Sequence, residues 1–374
     1  MFEAGLQIKR GSDILRHVNV TQKETENMIN KYLPVCLAAA MLVGNILVAQ
    51  TAGSTTKPAS SKAPAKQGEL ANPTAKSVKP VPAVKKTASG TVDVSKIDPV
   101  KLNNQMMMVF MERMKAGNFA EAREIADQMI FGHENFRATE SKEYKSFHSI
   151  MEKELYHLLE GRQGSKKEVV WVEQPISDGF YLLAMLDFQE GKHEDALANM
   201  QRAVYWNPVR SAFYCERGYM LLRNNTNPNP LMAQVAYSKA LELADNPEDF
   251  AGALRGLAFI LLERRQPDVA LACLLVAREF TPGENDVEEE LFFISRNFPT
   301  LYAGMDTAGA RQILKKNRIL DDYAPEHVQV LLRLADKFKD PQDAPRVVSL
   351  LHRAREMAPK NQEVNRRIQL LEKK

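Results

Sequence analysis

Seven histidines, three cysteines and 47 carboxylates are the groups of this 374-residue chain that could hold a metal or move a proton, and their spacing decides whether they do. His148 and His157 stand nine residues apart. That is neither the spacing of two ligands on one helical face nor a zinc-finger spacing, so both read as exposed helix histidines. The chain contains no Cys-x-x-Cys pair, His-Glu-x-x-His, Walker A loop or Gly-x-Ser-x-Gly turn. The run Glu288-Glu289-Glu290 falls at a helix start, where negative charge complements the macrodipole and needs no catalytic role. The expectation is a chain with no catalytic residue, no metal and no cofactor.

Three segments of different charge must position whatever the chain does use. Residues 1–50 carry a net charge of +1, residues 51–97 carry +6 and residues 98–374 carry −4, which together make the overall +3. This balance offers no basic excess with which to neutralise many phosphates, so no nucleic-acid partner is expected. Residues 33–49 form an uncharged apolar run behind Lys31. Met28-Ile29-Asn30-Lys31 reads as a basic lead-in, and Val48-Ala49-Gln50 or Thr51-Ala52-Gly53 as a cleavage tripeptide. Residues 28–50 are therefore a signal peptide or an N-terminal membrane anchor, and residues 1–27 an upstream mis-start or cytoplasmic tail. Cys36 lies early in the run behind Val35, which disfavours lipid anchoring. The chain is expected to be exported, periplasmic or associated with the cell envelope; the alternative is anchoring in the inner membrane through residues 33–49.

Residues 51–97 are built from Ala, Lys, Pro, Ser and Thr, with eight lysines, two acids and five prolines. Such a composition cannot bury enough apolar surface to offset its ordering entropy, and it reads as a disordered linker. Its lysines can touch an anionic envelope polymer or lipid headgroup; the plainer alternative is a solubilising spacer. Beyond it, Cys215 and Cys273 fall inside helical patterns, as buried free thiols or as a disulfide pair.

From residue 98 the chain is helical in pattern, with almost no strand signal and a period near 34. The clearest unit is Leu254, Leu257-Ala258, Leu261, Ala270, Leu274, Ala277, Pro282. A second copy is Leu331, Leu334-Ala335, Phe338, Val347, Leu351, Ala354, Pro359, and a third is Phe180, Leu183-Ala184, Asp187, Ala196, Met200, Ala203, Pro208. A looser unit runs from Tyr214 and Gly218 to Ala233, Tyr237 and Ala240, across a lengthened turn at 224–230. Partial units begin at Met106 and Leu291, and residues 139–176 fit no repeat, with 139–160 reading as an unmatched helix.

These residues resemble the tetratricopeptide repeat family. The resemblance implies an all-α, right-handed α-solenoid over 98–374, with its best repeats at 177–210, 211–249, 251–284 and 328–361 and a cap at 362–374. Each helical hairpin has an apolar face that it cannot bury alone, and stacking makes the core continuous. The resemblance also implies a concave groove lined by the first helix of each hairpin. Registering the units puts Tyr181, Met185 and Phe188 there, then Cys215, Tyr219 and Arg223, then Arg255, Phe259 and Leu262. Aromatic and Met anchors beside Arg suit a peptide, because they combine contact area with charge-assisted hydrogen bonds; the competing reading makes these positions core. The carboxylate clamp of chaperone co-factors is set aside, since Tyr181 and Met185 occupy its Lys and Asn positions. The expected function is a non-catalytic scaffold or adaptor in the bacterial cell envelope that binds a protein or extended peptide. The alternative is an accessory subunit of an envelope enzyme or a secretion or assembly complex.

Retention of the chain on heparin or anionic vesicles is expected to map to residues 51–97 and to vanish on their deletion. Retention that survives the deletion would move the basic contact to the body.

Overall fold

The computed structural model describes residues 99–164 and 167–372; the stretches expected to be a signal or anchor segment and a linker lie outside the described residues. Among the described residues there are fifteen α-helices. Helices α1 (Pro99–Lys115) and α2 (Phe119–Ile130) form the first packed pair. A short insertion follows: strand β1 (Lys142–Lys145), helix α3 (Ile150–Gln163) and strand β2 (Glu168–Trp171). Three further pairs are α4 (Ile176–Gln189) with α5 (His193–Trp206), α6 (Ser211–Arg223) with α7 (Pro230–Leu243), and α8 (Pro247–Glu263) with α9 (Pro267–Phe280). Then come α10 (Asn285–Asn297), the single-turn α11 (Pro299–Ala303) and α12 (Thr307–Lys316), which packs on α9. The chain ends with α13 (Pro325–Lys337), α14 (Ala344–Met357) and α15 (Gln362–Glu372).

Local chemistry explains most boundaries. Asn229 and Asn246 accept hydrogen bonds from the Met232 and Asp249 amides, each followed by a proline whose missing N–H costs nothing in a first helical turn. Gly191 ends α4 at φ +76°, a conformation that a side chain would strain. The lengthened turn after α6 is held by Asn224, whose side-chain oxygen accepts from the amides of Thr226 and Asn227.

The repeat positions fall on the facing sides of paired helices. Leu254, Leu257, Ala258 and Leu261 on α8 and Ala270, Leu274 and Ala277 on α9 are all buried. Asp187, which stands where the template has an aromatic, is also buried. It accepts from Arg123 at 2.6 Å and from Asn199 at 2.7 Å, and so joins α2, α4 and α5. The closest approach centres on Tyr237 of α7, whose ring lies between Gly218 of α6 and Gly256 of α8. A Cβ added at Gly256 would stand 2.3 Å from that ring, and one added at Gly218 2.8 Å.

Three expectations need correction. Residues 139–160 are not one unmatched helix: the helix begins only at Ile150, after β1, and β1 and β2 pair in parallel, Lys142 opposite Glu168 through Lys145 opposite Trp171, with α3 as the crossover. Strands of four residues, one reading Lys-Glu-Tyr-Lys, are too short and polar to show an alternating signal. The α13/α14 pair, although its repeat pattern is strong, has α3 as its main neighbour outside its own pair and α15. Lys337, at the end of α13, meets Glu154 near the start of α3 at 2.6 Å, while Arg162 at the other end of α3 bonds Glu326, so the two helices run antiparallel. Their shared core holds Met151, Leu155, Leu158, Val330, Leu331 and Leu334. Finally, Glu290 does more than complement a helix dipole, because it grips Arg255 through two hydrogen bonds. Cys215 and Cys273 are both buried free thiols.

Gly256→Ala is expected to destabilise the fold by about 1–3 kcal/mol through overpacking against Tyr237. Gly218→Ala should cost less, and denaturant midpoints of the two variants give the order.

Candidate functional site

Helices α4, α6 and α8 carry the residues registered to the groove, and the structure divides them. The Phe188 and Tyr219 rings, on consecutive first helices, meet at 5.5 Å. The Arg223 guanidinium lies 6.0 Å from the centre of the Tyr219 ring, and His193 stands edge-on to Phe188 at 5.1 Å. These side chains form one half-buried aromatic and cationic cluster. Met185 and Phe259 are also half-buried, packed against the flanks of two different cores. Tyr181 is 8% exposed and stacks on Phe213 at 5.2 Å, which makes it core. Arg255 leaves the open surface as well. Its side chain is 1% exposed because α10 packs there and supplies Glu290 at 2.7 Å and Asp286 at 3.3 Å. Cys215 is buried, with its thiol 3.9 Å from the Asp249 carbonyl.

A second feature was not legible from spacing. A cleft of about 390 Å³ opens where α3, α6 and α8 begin, with His148, Glu152, Arg210, Glu248, Asp249 and His327 among its lining. Ser149 caps α3 by accepting from the Glu152 amide, and Glu152 in turn accepts from the His148 amide at 2.6 Å and from Asn207 at 2.7 Å. Behind the cleft wall Asp178 of α4 is buried against Arg210 at 3.1 Å, Asn103 of α1 at 2.6 Å and His148 at 3.4 Å. His148 is thus a partner in a buried network, not an exposed helix histidine; it stands in the loop before α3, whereas His157 is exposed on α3. Burial alone would push the Asp178 carboxyl up, but Arg210, His148 and Asn103 outweigh it and hold it at about 2.

The neighbouring acids behave in the opposite way. Burial pushes Asp249 up to about 6, against a partly offsetting hydrogen bond from Asn246 and the charge of Arg210. Glu216 of α6 is buried with no hydrogen-bond partner for either carboxylate oxygen, and burial, then the charge of Asp249, push it up to about 8. The signal that could have found these groups is an acid at a position with apolar spacing. Glu216 lies three residues after Phe213 and four before Met220, both buried.

Chemically, the cleft presents carboxylates to its interior and the aromatic cluster presents ring faces beside a guanidinium. Among the described residues no group of three or more His, Cys, Asp or Glu side chains is arranged to hold a metal ion. No helix among them is long and apolar enough to cross a membrane. No protein-family model matches the chain, and no curated protein sequence is significantly similar to it.

Glu216 carries a pH dependence whose sign follows from its raised value. The folded state holds the proton more tightly than the unfolded chain, so this contribution to stability is present below about pH 4.5 and is lost as pH rises through about 8. Glu216→Gln is expected to melt higher than the wild type at pH 9, by roughly 2–4 kcal/mol. The two should converge near pH 4 in thermal melts across that range.

Proposed function

We propose that this chain is a non-catalytic interaction scaffold of the cell envelope, built as a right-handed solenoid of tetratricopeptide-like hairpins, which binds an extended peptide or a protein segment along its first helices. The observation that carries this reading is the meeting of Phe188, Tyr219 and Arg223 across α4 and α6. Half-buried aromatics beside a guanidinium offer rigid contact area at low entropic cost, together with a charge-assisted donor for backbone carbonyls or carboxylates. Met185 and Phe259 extend the same reading along α4 and α8. The pairwise packing of α4 through α9, with Tyr237 seated between two glycines, supports the repeat assignment, because such close approach is how hairpins of this family share a core. The envelope address rests on the apolar run at 33–49, and the basic residues 51–97 give the body reach from it or weak contact with an anionic polymer or lipid.

A capture experiment from envelope extract, comparing wild type with the Tyr219→Ala, Phe259→Ala double variant at matched thermal stability, tests the reading. Loss of the captured proteins by about tenfold or more is expected, as truncating two anchors costs at least 1.4 kcal/mol. An unchanged set of partners would overturn the groove assignment.

A further inference from the structure

Helix α1 is rich in thioethers: Met106, Met107, Met108, Met111 and Met114 fall within nine residues, out of sixteen methionines in the whole chain. All but Met108 are half-buried against the core that α1 shares with α2, α4 and α5, and they flank Phe110, which is 1% exposed. Met107, Met111 and Met114 follow one another along a single face, at spacings of four and three residues. Met108, on the opposite face, is 66% exposed. By contrast Met129, Met200 and Met220, on α2, α5 and α6, are fully buried. A thioether fills irregular gaps well, but it is also the apolar side chain that a mild oxidant converts into a polar one.

The way α1 is held gives these sulfurs their weight. Helix α2 is locked onto α4 by close approach, since a Cβ added at Gly179 would stand 2.6 Å from Ile130 and 2.8 Å from Met129. Helix α1 has α2 as its main neighbour. Among the described side chains it meets the apolar core through Phe110 and the four half-buried methionines. Its polar tie is Asn103, which donates to Asp178 at 2.6 Å and stands 3.3 Å from the His148 ring. A sulfoxide oxygen at Met107, Met111 or Met114 would face that core, and a polar group held there without a hydrogen bond is unfavourable. Water can satisfy it only if α1 lifts away.

We propose that Met107, Met111 and Met114 are sulfoxidation sites at which a hydroperoxide releases α1 from α2, while α2 stays on α4. The thioether sulfur attacks the peroxide, an S–O bond forms and the O–O bond breaks. Sulfur loses two electrons, and the peroxide is reduced to water or an alcohol after its leaving oxygen takes the proton of the transferred hydroxyl; no further reactant is needed. Departure of α1 withdraws Asn103 from Asp178, so oxidation at one end of the helical body reaches the buried Asp178–Arg210 pair.

Treating the full chain with hydrogen peroxide, then reading peptide masses and hydrogen exchange, tests the release. Sulfoxides are expected at Met107, Met111 and Met114 as well as at the exposed Met108 and Met232, with Met129, Met200 and Met220 left reduced. Exchange across residues 103–114 should rise about tenfold or more, exchange across 247–263 should not change, and methionine sulfoxide reductases should restore the slow exchange. The Met107→Leu, Met111→Leu, Met114→Leu variant, a nearly volume-conserving change, should exchange slowly before and after peroxide. Sulfoxides at the three positions with unchanged exchange, failure of the three to react while Met232 does, or equal loosening of the leucine variant would each overturn the proposal.

Discussion

A single buried ion pair organises the centre of this protein. Asp178 and Arg210, 3.1 Å apart, come from α4 and the turn before α6, and Asn103 of α1 and His148 of the β1–α3 loop complete the set. Removing two charges from water is costly, and the mutual attraction offsets that cost only when the geometry is held from several sides. Here four separate stretches of chain hold it. The pair therefore ties the β-α-β insertion to α1, α4 and the turn before α6, since removal of either partner would leave a buried charge uncompensated. Arg210 is shared: it faces Asp178 at 3.1 Å, and its charge only partly offsets the burial that pushes Asp249 up to about 6.

Around this node the helices follow a rule of size. Tyr237 can lie between α6 and α8 only because Gly218 and Gly256 present bare backbone to its ring. Alanines buried along α7, α8 and α9 let neighbouring axes approach in the same way. Tyr214 marks where three apolar cores meet, packing against each of them while its hydroxyl donates to the Pro208 carbonyl at 2.9 Å. Burial pushes that phenol up to about 12, so it remains a donor throughout the ordinary pH range.

The terminal pair shows how a strong local pattern can take an unexpected seat. Helix α3 offers Met151, Leu155 and Leu158 on one face, and without α13 that face would be exposed to water. Covering it removes apolar area from water at about 25 cal/mol per Å², while α12 has α9 as its own neighbour. Arg353 to Asp245, and His327 to the Glu242 carbonyl, then tie the pair to the α7–α8 turn, and the cleft is the space left where the modules meet.

What the sequence determined by itself was everything carried by short-range periodicity. Leu254 through Ala277 and Phe180 through Ala203 fall on paired helices with their small residues at the crossings, because 3.6-residue spacing and helix-ending prolines and glycines act within a few residues. The short strands escaped notice because four residues hold too little alternation. The groove positions were legible as a register but not as a surface. Whether Tyr181 and Arg255 face water depends on Phe213 and on the acids of α10, which no internal spacing reports. Tertiary structure alone decided that Glu152, Asp178, Arg210 and Asp249 share one electrostatic neighbourhood. Their pairing is set by long-range packing of α3, α4, α6 and α8, and a charge's meaning depends on what burial brings beside it.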